Sequence, residues 1–184
     1  MKKVFSVFLI FVLCILSSCE EPMVILGGSL HADGPKEYGF APWLDGLVYE
    51  GVLEEKQSYS DRREHSVRIK FIEDDMYLST EPKEEPSFAE SERITEIVKR
   101  LCSSESARTN VQGKYSDRQY YFEVQGFPYS GNGYCIRMTA KITKISDEKI
   151  HIIITQERAA SSIPSQYEEY SSSEGILIKS EDVI

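Results

Sequence analysis

Basic residues are the first thing that this sequence has little of. Its 184 residues include 21 Lys and Arg against 30 Asp and Glu, which gives a formal net charge of −9 at pH 7. Nucleic-acid binding depends on basic side chains that neutralise phosphates, so this balance argues against that class of protein. It also argues against adhesion to an anionic membrane by charge alone. The hydrophobic content of 41% still predicts a globular fold, and the length predicts a single domain.

The sequence also lacks the short motifs that carry catalytic or metal chemistry. It contains no H-E-x-x-H, C-x-x-C, G-x-S-x-G, P-loop or G-x-G-x-x-G pattern. The histidines His31, His65 and His151 have no partner at metal-ligand spacing, which favours ordinary surface histidines. The acidic run at residues 73–75 is typical of a solvated turn. We therefore predict no catalytic residue, no metal and no cofactor; a carboxylate-dependent hydrolase is the enzymatic alternative.

Long apolar runs are missing from the sequence except near its N-terminus. Lys2 and Lys3 precede an apolar run over residues 4–16, and Ser17 and Ser18 follow it. As a helix this run spans about 20 Å, whereas the hydrocarbon core of a bilayer is about 30 Å thick. A positive segment, an apolar segment and small residues, in that order, are instead typical of a secretory signal peptide.

The segment Leu16-Ser17-Ser18-Cys19 resembles the lipobox of bacterial lipoproteins, which has a Leu, two small residues and a Cys. The resemblance covers residues 1–19. It implies that residues 1–18 are a signal peptide and that Cys19 becomes a lipidated N-terminus, anchored by acyl chains that contribute about 0.8 kcal/mol per buried CH₂. The alternative is an ordinary secreted protein cut near Cys19. Because Glu20 is not the Asp that tends to retain such proteins at the inner membrane, we expect a cell-envelope location at the outer membrane.

Cysteines are few, four in the whole chain. Cys14 would leave with the signal peptide and Cys19 would be acylated. Cys102 and Cys135 would then remain together in an oxidising compartment, and we predict a disulfide between them. Two buried free thiols are the alternative.

The rest of the sequence predicts a mainly β (α+β) fold. Residues 19–43 hold the lipidated Cys and a Gly- and Pro-containing flexible tether, and residues 44–184 form a single β-rich domain. Apolar and polar residues alternate over residues 136–142 and again over 150–154, which predicts a hairpin. Residues 159–174 are rich in Ser, Tyr and Glu and predict a surface loop. We expect an antiparallel curved sheet or partly open barrel of six or seven strands.

One amphipathic helix is predicted over about residues 87–103. Ser87 and Glu90 fit the capping box that starts a helix. Four apolar residues follow at helical spacing and make one stripe: Ile94, Ile97, Val98 and Leu101. We expect this stripe to pack against the sheet.

Aromatic residues are concentrated between residues 115 and 134. Tyrosine offers a flat apolar ring and a polar tip, which suits a sugar ring or a protein partner. We predict a ligand or partner contact by Tyr121, Phe127, Tyr129 and Tyr134. The alternative is that these residues reflect the preference of aromatics for strands.

Together these features predict a membrane-anchored extracytoplasmic lipoprotein that acts as a non-catalytic binding or interaction module. Its partners would be the membrane, through the N-terminal anchor, and a protein, small-molecule or glycan ligand. A structural accessory or assembly lipoprotein of a cell-envelope complex is the alternative function.

Overall fold

The computed structural model describes residues 24–26, 41–58, 60–72, 75–82, 91–102, 107–128, 133–160 and 166–181. These residues form ten strands, counting one of only two residues, and one helix. The strands are β1 (Val24–Leu26), β2 (Val48–Gln57), β3 (Ser60–Ile72), β4 (Asp75–Pro82), β5 (Glu92–Arg93), β6 (Arg108–Tyr115), β7 (Gln119–Phe127), β8 (Tyr134–Ser146), β9 (Lys149–Ala160) and β10 (Glu168–Lys179). The helix is α1 (Ile94–Leu101).

The strands join in a single antiparallel sheet with the order β1-β6-β7-β8-β9-β10-β2-β3-β4-β5. Helix α1 touches β4 and β5 near one edge of the sheet and β6, β7 and β8 near the other. The sheet must therefore curl around the helix, and its two edge strands, β1 and β5, do not pair with each other. The prediction of a curved antiparallel sheet is confirmed.

The strand count is higher than the predicted six or seven, and β6 shows why. Its sequence, Arg108–Tyr115, contains one aliphatic residue, Val111, so it lacks the apolar alternation by which a strand is recognised. It is a strand because β7 pairs with it along its whole length, from Arg108 opposite Phe127 to Tyr115 opposite Tyr120. β10 likewise begins at Glu168, inside the stretch that predicts a loop.

Helix α1 is shorter than the predicted helix over residues 87–103. Glu92 and Arg93 are extended and pair with Leu78 and Tyr77 of β4, so the helix begins only at Ile94. At the other end it stops at Cys102, whose amide donates to the carbonyl of Val98. The proposed capping residues, Ser87 and Glu90, lie outside the described residues.

The face of the sheet that holds α1, here called the inner face, carries the hydrophobic core. Alternation along each strand sends every second side chain to this face and the others to the opposite, outer face. The largest fully buried side chains of the core, from the sheet, the helix and the turn before β2, are Tyr49, Tyr120, Phe71, Phe122, Leu44, Ile69, Met76, Ile94, Ile142, Ile150, Ile152 and Leu177. The predicted hairpin of residues 136–142 and 150–154 is confirmed as β8 and β9, with Ile142 directly opposite Ile152.

The two cysteines of the folded part are buried free thiols, which differs from the expected disulfide. Cys102 belongs to the inner-face core, where its sulfur approaches Gly126. Cys135 pairs with Ala159 and lies two residues before Arg137 on β8, so both side chains point to the outer face. Burial raises the pKa of Cys102, and Cys135 adds to this rise electrostatically, so the two thiols lie within electrostatic range of each other.

Part of the predicted tether is packed on the sheet. Residues 41–47 form turns in which Ala41 and Leu44 are fully buried. Trp43 donates from its ring Nε1 to the carbonyl of Ser116 at 3.1 Å. β1 adds a three-residue pairing with β6. Cys19 and the signal peptide, residues 1–18, lie outside the described residues.

Candidate functional site

A groove of about 480 Å³ lies on the outer face where β6, β7, β8 and β9 run side by side. The register of these strands fixes its floor: Lys114 of β6 is opposite Tyr121 of β7, which is opposite Lys141 of β8. The three residues therefore form a row across the sheet, because paired residues of antiparallel strands point to the same face. The groove is lined by Gln112, Lys114, Gln119, Tyr120, Tyr121, Glu123, Lys141, Ile142, Thr143, His151 and Ile153.

Tyr121 is the aromatic centre of this row, and its orientation is fixed. Its hydroxyl donates a short hydrogen bond to the Glu123 carboxylate, two residues along the same strand. Burial, and next this hydrogen bond, raise the pKa of Tyr121 above its ordinary value, so the hydroxyl stays a donor. The Lys114 ammonium lies 5.9 Å from the centre of the ring. The ring is thus held at its hydroxyl, with an ammonium over its face.

Glu123 is already occupied by neighbouring donors. Besides the Tyr121 hydroxyl, its carboxylate accepts a hydrogen bond of 2.7 Å from the side-chain amide of Gln125. The same carboxylate therefore serves to position Tyr121 and forms no salt bridge with a lysine among the described residues.

Lys114 and Lys141 are the cations of the groove. Within the described part of the chain, neither ammonium lies at salt-bridge distance from a carboxylate. His151, at the edge of the groove, differs because its ring is 2.9 Å from the Glu174 carboxylate. The row thus carries two positive charges, and Glu123 beside it carries one formal negative charge, so the lysines outnumber the carboxylate.

Next to the groove, the outer face is closed by Tyr167. Arg137 donates to the Glu157 carboxylate with two hydrogen bonds, of 2.5 and 2.7 Å, and the ring of Tyr167 lies 4.3 Å from its guanidinium carbon. Burial raises the pKa of Tyr167 to about 12. Cys135 and Ala159 are buried at this end of the outer face. Tyr167 covers one end of the outer face of β6, β7, β8 and β9. The groove lies on the part of that face that Tyr167 does not cover.

The four predicted contact residues do not form one surface. Tyr121 lines the groove, and Phe127 is on the same face but outside it. Tyr134 is 50% exposed and points to the same face as Ile136, the inner face. The guanidinium carbon of Arg158 lies 5.4 Å from the centre of its ring. Tyr129 lies outside the described residues.

The two lysines are the groove residues that the sequence interpretation missed. Lys141 is one of the polar residues that alternate with apolar ones in a predicted strand, so the sequence already indicated that it lies on the polar face. Lys114 belongs to β6, which was not recognised as a strand, and its place beside Tyr121 depends on the β6–β7 register.

The histidines of the described chain are paired with carboxylates, His65 with Glu55 at 3.1 Å and His151 with Glu174. In the described ranges no group of three or more His, Cys, Asp or Glu is arranged to hold a metal ion. His31 and the acidic residues 73 and 74 lie outside those ranges. No helix in the described part of the chain is both long and apolar enough to cross a bilayer.

Comparison of the chain with protein-family models, with curated proteins and with solved structures found no match in any of the three.

Proposed function

We propose that this protein is a membrane-anchored extracytoplasmic lipoprotein that acts as a non-catalytic binding module, with the outer-face groove as its ligand site. The observation that carries the proposal is the fixed ring of Tyr121 on the floor of a groove of about 480 Å³. Small-molecule sites usually measure about 300–1,000 Å³ and combine apolar surface with a few placed polar groups. Ile153 and the Tyr121 ring supply apolar surface here, and Gln112, Gln119 and Thr143 supply polar groups.

The anchor part of the proposal depends on the resemblance of residues 16–19 to a lipobox. Lipidation of Cys19 would hold the folded part outside the cytoplasm, in the cell envelope, with the outer membrane as the expected site. The acidic net charge of −9 is compatible with an anchor that is lipid and not electrostatic.

The test uses the full chain, expressed with its N-terminal segment in a bacterium and extracted in detergent. Mass spectrometry should find acyl chains on the peptide that begins with Cys19. On an array of oligosaccharides and short peptides, the wild-type protein should bind a defined subset, and Tyr121→Ala should reduce that signal about tenfold or more. Tyr134→Ala is the matched control, since it removes an exposed tyrosine from outside the groove.

Two results would count against the proposal. An unmodified Cys19 peptide would remove the anchor. Equal array signals for the wild type and Tyr121→Ala, with Tyr134→Ala also unchanged, would remove the groove as the ligand site.

A structural accessory of an envelope complex is the second candidate function, and one observation favours it. Val52, Ile176 and Ile178, on the neighbouring strands β2 and β10, are 37%, 55% and 54% exposed. Exposed aliphatic residues on adjacent strands suit contact with another protein. A second subunit retained stoichiometrically in native mass spectra of the detergent extract would favour this function over ligand binding.

A further inference from the structure

We infer that the groove binds an acidic sugar, a pyranose ring that carries a carboxylate, with the ring on Tyr121 and the carboxylate held by Lys114 and Lys141. This inference rests on the proposed function and adds the chemical class of the ligand. It follows from the charge, the geometry and the position of the groove.

The charge of the groove runs against that of the whole chain. The protein is acidic, with a net charge of −9, yet Lys114 and Lys141 have no salt-bridge partner among the described residues. The one carboxylate that lines the groove, Glu123, accepts from Tyr121 and Gln125 instead. The two lysines outnumber this single carboxylate, and the excess positive charge, in a concave surface where field lines concentrate, attracts an anion.

The aromatic ring sets the shape of the ligand. Tyr121 has its hydroxyl tied to Glu123, so its ring keeps one orientation before the ligand arrives. A flat ring packs well against the C–H face of a sugar, which is apolar, while the sugar hydroxyls point sideways. Gln112, Gln119 and Thr143 line the groove around the ring and can both donate and accept hydrogen bonds.

The spacing of the row matches one sugar unit. Lys114 and Lys141 lie on strands on either side of β7, and adjacent strands are about 4.8 Å apart, so their backbones are roughly 10 Å apart. A pyranose over the central Tyr121 therefore has an ammonium within reach on each side. Lysine side chains are long and flexible enough to close on a carboxylate at the ring edge.

The position of the groove favours a sugar over an acidic peptide. Peptides commonly bind to sheets by adding a strand to a free edge. β7 and β8, which form the floor, are hydrogen-bonded to strands on both sides, and no edge is open there. Recognition in the groove must therefore use side chains, which suits a compact ligand rich in hydroxyls.

The experiment measures affinity by isothermal titration of the detergent-extracted full chain. The probes are trisaccharides of galacturonic acid and of glucuronic acid, a sialylated trisaccharide, and a neutral hexose trisaccharide. At least one acidic probe should bind at least tenfold more tightly than the neutral one, and its affinity should fall with added salt. Lys114→Gln and Lys141→Gln should each weaken that binding about tenfold, the loss of one charge-assisted hydrogen bond.

Three further variants separate the causes. Lys56→Gln is the matched control, because Lys56 is an exposed lysine on the outer face of β2, three strands from β8 and outside the groove lining, and it should leave affinity unchanged. Tyr121→Phe keeps the ring but releases it from Glu123, so its affinity should lie between those of the wild type and Tyr121→Ala. Lys141→Arg keeps the charge and should retain most of the binding. Thermal unfolding of every variant is compared with the wild type, and the lysine variants should match it.

Each remaining outcome overturns the inference in an identifiable way. Equal binding of neutral and acidic sugars, or unchanged affinity in both lysine variants, would refute the acidic ligand but leave the groove as a binding site. Binding of peptides alone would do the same. If no probe binds and the array signal is also insensitive to Tyr121→Ala, both the inference and the proposed ligand site fail.

Discussion

Gly126 marks the point where α1 comes closest to the sheet. A Cβ atom at this position would lie 2.6 Å from the sulfur of Cys102 and 2.6 Å from a methyl carbon of Val98. All three residues are buried, and the neighbours belong to the last turns of the helix. Glycine at position 126 thus allows the helix to rest directly on β7, and any side chain there would push the two elements apart.

Gly126→Ala should destabilise the protein by about 1–3 kcal/mol, the usual cost of adding a methyl group to a filled core. The free energy of unfolding from urea denaturation measures this, with an unchanged dependence on denaturant showing that the fold is retained. In a Val98→Ala background the same substitution should cost less, since the colliding methyl is gone. Additive effects of the two substitutions would contradict this packing account.

At the scale of elements, α1 depends on its surroundings. It has eight residues, and isolated helices of that length are unstable in water. Its apolar stripe, including Ile94 and Val98, packs on the inner face. Its first turn is also fixed by a hydrogen bond of 3.3 Å from the Thr95 hydroxyl to the Asp75 carboxylate, where both residues are buried. This bond joins the start of the helix to the start of β4.

Thr95→Val should reduce the free energy of unfolding by about 1–3 kcal/mol, because it removes a donor from a buried carboxylate without changing the shape of the side chain. Thr95→Ser, which restores the hydroxyl, should recover most of that loss. The measurement is again urea denaturation. A Thr95→Val protein as stable as the wild type would show that the bond to Asp75 does not hold the helix in place.

At the scale of the whole molecule, burial acts on several weak acids in the same direction. It is the largest cause that raises the pKa of Cys102 from 9.0 to about 11 and the pKa of Tyr167 from 10.0 to about 12. The pKa values of Tyr49, Tyr121 and Cys135 are also raised, again chiefly by burial. The folded state therefore keeps protons that the unfolded chain releases first.

Above pH 9 the unfolded state binds fewer protons than the folded state, so folding stability should fall as pH rises. Cys102 contributes to this fall between pH 9 and about 11, and Tyr167 contributes between pH 10 and about 12. Below pH 9 these groups are protonated in both states and add no pH dependence. Urea midpoints measured between pH 7 and 11 test this. Cys102→Ala should be flatter than the wild type between pH 9 and 11, and identical slopes would exclude Cys102 as a cause.

The sequence by itself determined the features that local patterns encode. Alternation over residues 136–142 and 150–154 specified β8 and β9, because side chains on successive strand residues point to opposite faces whatever the strand pairs with. The stripe that contains Ile94 and Val98 specified the helix, and the lipobox-like segment at residues 16–19 supports the predicted anchor. These signals need no knowledge of distant residues.

Tertiary structure alone decided what depends on pairing between distant segments. β6 is a strand because β7 pairs with it, and the start of α1 is set by the pairing of Arg93 with Tyr77. The groove exists only where register aligns Lys114, Tyr121 and Lys141. Register is set by matching the apolar faces of the paired strands and by the turns that join them, so it depends on both strands and cannot be obtained from one strand alone.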